Sequence, residues 1–351
     1  MAYDFDFVVD EGHLDEVGST MTGKADEIRR CIMCNKGCTD AIGCRAFVSC
    51  VLNAENGHEY ERVITPAENP RTIAVVGGGV AGLEAARVLA LKGHSVELYE
   101  KSCRLGGQLN IASVPPRKEE MNRIVNFYEE ALKDLDVKIF LNREFTKEDA
   151  KKYDTIINAV GAHNLGPRIT GIENVNVVNS WDVLANKEVV FGHIAVCGGG
   201  LVGVETAEYL AMKGYKVTII EMQDKIAKEE SATVMPTLMK DLTDHNVVIK
   251  TNAKIKRFEN NAVVVDLLPP PAPVAPGRPG APVALQAPVE PIGEETIHCD
   301  FIVNALASTR NVLDLGDYQG TVINVGDCAG ERPSNINHAI ESAYDAANSV
   351  K

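Results

Sequence analysis

The sequence predicts an α/β fold made of two Rossmann-like dinucleotide-binding domains behind an N-terminal cysteine-rich segment. Three observations predict it. A strand, glycine turn, helix and second strand run from Thr72 to Glu100, the same series returns from Ile194 to Glu221, and five of the nine cysteines crowd between positions 31 and 50.

With 351 residues the chain is long enough for two or three packed cores. Its 49 acidic against 35 basic residues give a formal charge of −14, which argues against nucleic acid or an anionic membrane as partner. The stretch from Met1 lacks a basic region followed by an apolar core, and no window approaches 18 unbroken apolar residues, so a soluble cytoplasmic protein is expected. In such a compartment cysteines serve metal, redox or packing roles rather than disulfides.

Residues 1–30 are acidic and too short for a core, with Lys24 to Arg30 able to form a short helix before the cysteines. Thr72-Ile73-Ala74-Val75-Val76 is a β-branched apolar run, an Ala/Leu-rich helix follows to about Leu91, Gly93 closes it, and Ser95 to Glu100 is the next strand. The copy begins 121 residues on, from Gly77 to Gly198, and has a helix to Lys213 and a strand from Lys216 to Glu221. Further buried strands are expected at Thr155 to Val160, Phe301 to Ala305 and Thr321 to Val325, each short, apolar and bounded by turn residues. Positions 268–293 hold nine of the sixteen prolines and read as an exposed polyproline-like insertion between strands.

The first motif is Gly77-x-Gly79-x-x-Gly82. Gly77 makes the tight turn, Gly79 lets the backbone approach a pyrophosphate, Gly82 permits close helix packing, and the helix N-terminus attracts the anion. Glu100, at the end of the next strand, is placed to accept hydrogen bonds from a ribose. The second motif, Gly198-x-Gly200-x-x-Gly203 with Glu221, repeats this arrangement. A carboxylate at 221 holds both hydroxyls of a plain ribose and repels a 2′-phosphate, so NADH is expected over NADPH, with Lys225 and Lys228 nearby able to soften the preference. Glu205, two residues past Gly203 on the helix, is the candidate catalytic residue, placed where it could face the nicotinamide; a helix-packing or surface carboxylate is its other reading.

The cysteines read Cys31-x2-Cys34-x3-Cys38-x11-Cys50, with Cys44 surplus inside the long gap. Four thiolates gathered by tight loops suit an iron-sulfur cluster or tetrahedral zinc. Beside two dinucleotide motifs a redox-inert zinc would be idle, which favours the cluster. Cys103, Cys197, Cys299 and Cys328 stand singly as small hydrophobes, and no Cys-x-x-Cys redox pair follows Glu100.

The run CIMCNKGC, then CVLNAENGHE, then AVVGGGVAGLEAARVLALKGHSVELYEKSCRLGGQL resembles the C-terminal half of the 2,4-dienoyl-CoA reductase, enoate reductase and trimethylamine dehydrogenase family. The likeness continues through Ala159-Val160-Gly161, the second glycine motif and Gly326-Asp327-Cys328. It implies a [4Fe-4S] cluster on Cys31, Cys34, Cys38 and Cys50, FAD against Gly77, Gly79, Gly82, Glu100, Gly107, Gln108 and Asp327, and NADH against Gly198, Gly200, Gly203 and Glu221. It also implies three parts: a cluster segment over 1–69, an FAD domain over 70–166 and 309–351, and an NAD(P)H domain over 167–308 that interrupts it and carries the insertion. The family's N-terminal TIM barrel, which binds FMN and the substrate, has no counterpart here, and Ala159-Val160-Gly161 stands where relatives usually carry Ala-Thr-Gly.

NADH gives two electrons as hydride whereas an iron-sulfur cluster takes one, so a flavin must stand between them. The expected order is NADH, FAD, cluster, then an FMN-containing barrel subunit or other acceptor protein in a hetero-oligomer. A self-contained NADH:acceptor oxidoreductase and a non-catalytic nucleotide-binding module are the alternatives.

Overall fold

A computed structural model describes residues 28–165, 168–271, 289–330 and 335–351. Residues 28–30 are irregular rather than helical; the rest of the helix expected over 24–30, and the centre of the proline-rich insertion, lie outside the described residues.

In chain order the elements that build the two sites are β1 (Thr72–Val76), α1 (Val80–Leu91), β2 (Ser95–Tyr99), α2 (Asn122–Asp134), β3 (Lys138–Phe140) and β4 (Thr155–Asn158). Next come β5 (Val177–Asn179), β6 (His193–Cys197), α3 (Leu201–Met212), β7 (Lys216–Ile220), α4 (Met235–Asp244) and β8 (Val248–Lys250). They are followed by β9 (Ala253–Glu259), β10 (Ala262–Leu267), β11 (Gly293–His298), β12 (Phe301–Asn304), β13 (Thr321–Asn324) and α5 (Ile336–Ser349). The chain divides into two compact units. The first runs up to Ser113, from Arg117 to His163 and from Ser308 to Lys351; the second is Val114–Pro116 with Asn164–Ala307. The expected domain limits were 166/167 and 308/309, and the cysteine segment, expected to stand apart, clusters with the first unit.

In the first unit a five-stranded sheet has the order β13-β4-β1-β2-β3, all parallel. Both faces are covered, which is why its strands read as unbroken apolar runs. Ile73 and Val75 of β1 point into a core shared with Leu83 and Leu89 of α1, Tyr128 and Leu132 of α2, and Ile340 and Tyr344 of α5. Ala74 and Val76 point to the other face, where Tyr99, Phe145, Tyr153 and Ile156 close a second cluster. The alternation follows from the two-residue period of a strand. Leu52 and Ala54 sit in the larger core at 3% and 2% exposure, with Ile32, Cys50 and Val51 packed against it. The cysteine segment is therefore fastened to this unit by its own apolar residues.

The second unit has a parallel sheet in the order β5-β12-β6-β7-β8. Helices α3 and α4 cover one face through Val204, Leu210, Leu238 and Leu242. The other face is covered by an antiparallel sheet, β9-β10-β11, whose Phe258, Val263, Val265 and Ile297 meet Ala195, Cys197, Ile220 and Ile302. The proline-rich insertion falls in the connection between β10 and β11, consistent with an insertion between strands. Among the described residues no helix is long and apolar enough to cross a membrane.

Candidate functional site

The predicted residues of the first motif meet at the C-terminal edge of the first unit's sheet, where parallel α/β sheets bind ligands. Gly77 adopts φ +110°, a conformation glycine tolerates and other residues rarely take, and a Cβ there would lie 2.3 Å from the Ala159 carbonyl oxygen. A Cβ on Gly82 would lie 1.9 Å from the Gly77 carbonyl oxygen, so helix and turn touch backbone to backbone. At Gly79, which caps α1 with an extended backbone, an added Cβ meets nothing within 4 Å. The first turn of α1 has no side-chain cap. Such a turn can cradle a pyrophosphate.

Glu100 is 8% exposed and held from both sides. The N–H of Gly78 donates to Oε2 at 2.7 Å and that of Ser102 to Oε1 at 2.7 Å. An ionised carboxylate has about four acceptor positions, so two remain for ribose hydroxyls. Gly107, at φ +53°, packs against Gly79, its Cβ direction 3.0 Å from the Gly79 Cα. The next residue, Gln108, donates from Nε2 to Asp327 Oδ2 at 2.8 Å, and a Cβ on Gly161 would lie 3.7 Å from that same nitrogen. Gly107, Gln108 and Asp327, far apart in sequence, are thus brought to the same end of the sheet as the glycine turn.

The second motif repeats this geometry almost atom for atom. Gly198 has φ +111°, its Cβ direction 2.5 Å from the Ala305 carbonyl oxygen; Gly203 would place a Cβ 1.9 Å from the Gly198 carbonyl oxygen; Gly200 is open and caps α3 without a side-chain bond. Glu221, also 8% exposed, accepts from Gly199 N–H at 2.6 Å and Gln223 N–H at 2.8 Å. The repeat extends to a contact absent from the sequence reading. Leu105 packs on Gly78, and Ile226, at the same offset of five from the acid, packs on Gly199. Gly106 N–H donates to the Gly78 carbonyl at 2.8 Å, and Ala227 N–H to the Gly199 carbonyl at 2.7 Å. That common offset from Glu100 and Glu221 was the available signal.

Glu205 is a half-buried residue of α3. By motif position its counterpart in the first unit is Glu84, which is fully buried and ion-paired, with Arg87 Nη2 2.8 Å from its Oε1. Lys228, weighed as a charge near the second ribose, is ion-paired with Asp224 at 2.6 Å, while Lys225 is exposed.

The cysteine segment curls through left-handed turns at Met33 (φ 54°) and Asn35 (φ 60°), each costing about 1 kcal/mol for a residue other than glycine. The turns set backbone donors against sulfur. Met33 N–H donates to Cys31 Sγ at 3.2 Å, Lys36 N–H to Cys34, and the N–H groups of Leu52 and Asn53 to Cys50, while Cys38 Sγ lies 3.8 Å from the Thr39 hydroxyl. Burial pushes the Cys34 thiol above its ordinary value, the Lys36 N–H pulls it back, and neighbouring Cys50, Cys31 and Cys38 push it up again. Cys34 is therefore within electrical reach of the other three predicted ligands. Cys44, exposed, is not among the groups acting on Cys34. Among the described residues, no group of three or more His, Cys, Asp or Glu side chains is arranged to hold a metal ion. What the segment offers a cluster is its donor set, four thiols of which Cys31, Cys34 and Cys50 already accept N–H bonds.

Two glycine cradles with acid-anchored ribose positions define a two-dinucleotide flavoprotein, one that brings a flavin and a nicotinamide nucleotide onto one chain. The chain belongs to the pyridine nucleotide-disulphide oxidoreductase family, whose model matches residues 69–269, and it is an FAD-dependent NAD(P)H oxidoreductase. It is 45% identical over 339 residues to a bilirubin reductase of Mediterraneibacter gnavus, covering 95% of this chain and 49% of that protein. It is 42% identical over 206 residues to a cinnamate reductase of Clostridium sporogenes, covering 58% of this chain and 30% of that one. Among solved structures it is similar to a 2-naphthoyl-CoA reductase in complex with 2-naphthoyl-CoA, with a TM-score of 0.83 and 26% identity, covering 96% of this chain and 48% of that chain. The chain spans about half the length, or less, of the curated relatives it matches.

Proposed function

We propose that this chain takes hydride from NADH onto FAD and passes the electrons one at a time, through a [4Fe-4S] cluster on Cys31, Cys34, Cys38 and Cys50, to a partner. The partner is an FMN-containing barrel of the enoate reductase kind, which reduces an activated carbon-carbon double bond. What supports this reading is the set of thiols: Cys34 lies within electrical reach of Cys31, Cys38 and Cys50, the sulfurs of Cys31, Cys34 and Cys50 accept backbone N–H bonds, and the segment packs into the core of the flavin-binding unit. A cluster there supplies one-electron transfer, which the flavin feeds from the two-electron donor. The protein's residues bind and orient: the α1 and α3 termini hold the two pyrophosphates, Glu100 and Glu221 the riboses, and Gln108 and Asp327 the flavin end of the first site. Relatives named for the reduction of cinnamate and bilirubin, and a structural neighbour named for 2-naphthoyl-CoA, support a reductive role, and their greater length leaves room for a further domain.

The test is anaerobic mixing of the NADH-reduced chain with an FMN-loaded barrel protein from the same cell. Electrons are expected to reach the barrel's FMN faster than they reach an equal concentration of free FMN. Equal rates would remove the partner and leave a self-contained NADH:acceptor oxidoreductase.

Glu221 sets the choice of nucleotide. Its carboxylate is locked between two backbone donors and would repel a 2′-phosphate, and of the two nearby lysines Lys228 is ion-paired with Asp224, which leaves exposed Lys225 as a water-screened offset. NADH is expected to exceed NADPH in kcat/KM by at least about tenfold, roughly 1.4 kcal/mol. Glu221→Ala should bring the two nucleotides close to parity by slowing NADH and relieving NADPH. A higher kcat/KM for NADPH in the unmodified protein contradicts the assignment.

A further inference from the structure

A fully buried carboxylate on the flavin helix reaches an arginine that borders the cysteines. Glu84, five residues past Gly79 on α1, is 0% exposed. It accepts from Arg87 Nε and Nη2, both at 2.8 Å, and from the Tyr128 hydroxyl at 2.9 Å. Arg29 Nη2 lies 3.8 Å from the same carboxylate. Arg29 is two residues before Cys31, and its Nη1 donates at 2.8 Å to the carbonyl of Leu52, two residues after Cys50. Its guanidinium also stacks 4.8 Å from the Phe127 ring centroid, and its side chain is 11% exposed. One buried cation is thus tied at once to the flavin helix and to both ends of the ligand-bearing segment.

Such a group needs an explanation beyond stability, because removing charges from water costs about as much as pairing them returns. The local charges balance: carboxylates Glu84 and Glu55, the latter 7% exposed, stand against Arg87 and Arg29. Of the four, Arg29 is the one within two residues of a predicted ligand, and it also holds the Leu52 carbonyl two residues after Cys50. The other nearby cations differ. Arg123 donates to the Cys31 carbonyl at 3.1 Å but is ion-paired with Glu120, and Arg30 is exposed, where water screens its charge.

We propose that Arg29, held by the Leu52 carbonyl and the Phe127 ring and partly offset in charge by Glu84, is the residue that sets the reduction potential of the cluster and so makes it an acceptor for the flavin's electrons. The inference rests on the cluster reading above. Reduction adds one electron and one negative charge to the thiolate-bound iron-sulfur group, with no bond made and no proton required. A fixed cation in a low-dielectric site stabilises the reduced form more than the oxidised one. Arg29 is a positioning and field-setting residue, touching no substrate.

The test is a potentiometric titration of the cluster-loaded protein followed by electron paramagnetic resonance, with iron and flavin measured in the same samples. Arg29→Gln is expected to shift the reduced-to-oxidised ratio about tenfold toward the oxidised form at a fixed potential, which is about 59 mV for one electron. Arg29→Lys, which keeps the charge, and Arg30→Gln, which removes an exposed one, should each move it by less than a third of that. Full iron content with an unmoved potential in Arg29→Gln overturns the proposal, as does an equal shift in Arg29→Lys. If Arg29→Gln holds no iron, Glu84→Gln decides. Deleting that negative charge must move the potential the opposite way, and an unchanged value there also overturns the proposal. An unmodified protein that carries flavin but no iron would instead sink the cluster reading itself.

Discussion

Gly82→Ala is expected to strip the protein of flavin, whereas Gly203→Ala should leave the flavin bound and halt its reduction by NADH. The two positions are structural copies: in each, the new methyl group would fall 1.9 Å from the carbonyl oxygen of the motif's first glycine. No side-chain adjustment relieves that contact, because the obstructing atom is backbone. The helix must move away from the turn, and with it the uncapped N–H groups that hold the pyrophosphate. A displacement on the order of 1 Å at such a site costs about a hundredfold or more. For Gly82→Ala this appears as a flavin-to-protein ratio falling toward zero after gel filtration. For Gly203→Ala it appears as a normal flavin ratio with NADH-dependent bleaching slowed at least about a hundredfold. Stoichiometric flavin in Gly82→Ala would mean that FAD does not rest on the α1 cradle, and swapped phenotypes would mean that the two sites had been assigned in reverse.

The second large effect is expected at the thiols. Cys34→Ser and Cys50→Ser each remove a proposed ligand whose sulfur already accepts backbone N–H bonding, Cys34 with the other three cysteines acting on it and Cys50 with Cys31 acting on it. Both variants should lose iron, keep flavin, and be reduced by NADH at a near-normal rate. Delivery to the downstream protein should fall by at least about a hundredfold, since the one-electron carrier is gone. Cys44→Ser is the matched control: Cys44 is exposed and is not among the groups acting on Cys34. It should keep its iron. Retained iron in Cys34→Ser, or lost iron in Cys44→Ser, would redraw the ligand set.

Much of this was legible in the sequence because the parts concerned are local. The glycines act through the absence of a side chain, and the strands that carry them declare themselves by β-branched runs. The acids Glu100 and Glu221 follow at fixed spacing, and the candidate thiol ligands stand close together in the chain. What the sequence concealed depends on tertiary packing. Lys254, Lys256 and Arg257 give β9 the look of a solvated stretch, and only the opposing sheet makes Phe258 a buried residue at 3% exposure. Glu84 and Arg29 were invisible for the same reason. Each has the composition of a surface charge, and they become buried partners because Leu52, Ala54 and Ile32 bring the cysteine segment down onto α1 and α2. At the place equivalent to Glu205, the carboxylate of the first unit serves an ion pair inside the protein, a partner that spacing in the chain does not reveal.

The most direct test of the relay is an anaerobic titration of the purified protein with NADH. Flavin absorbance and the paramagnetic signal of reduced iron are followed together, and iron and zinc are assayed on the same sample. The account predicts one FAD and about four irons per chain, with NADH bleaching the flavin and the iron signal growing as electrons pass on. Zinc in place of iron, or a flavin that is fully reduced while no iron signal develops, would contradict it.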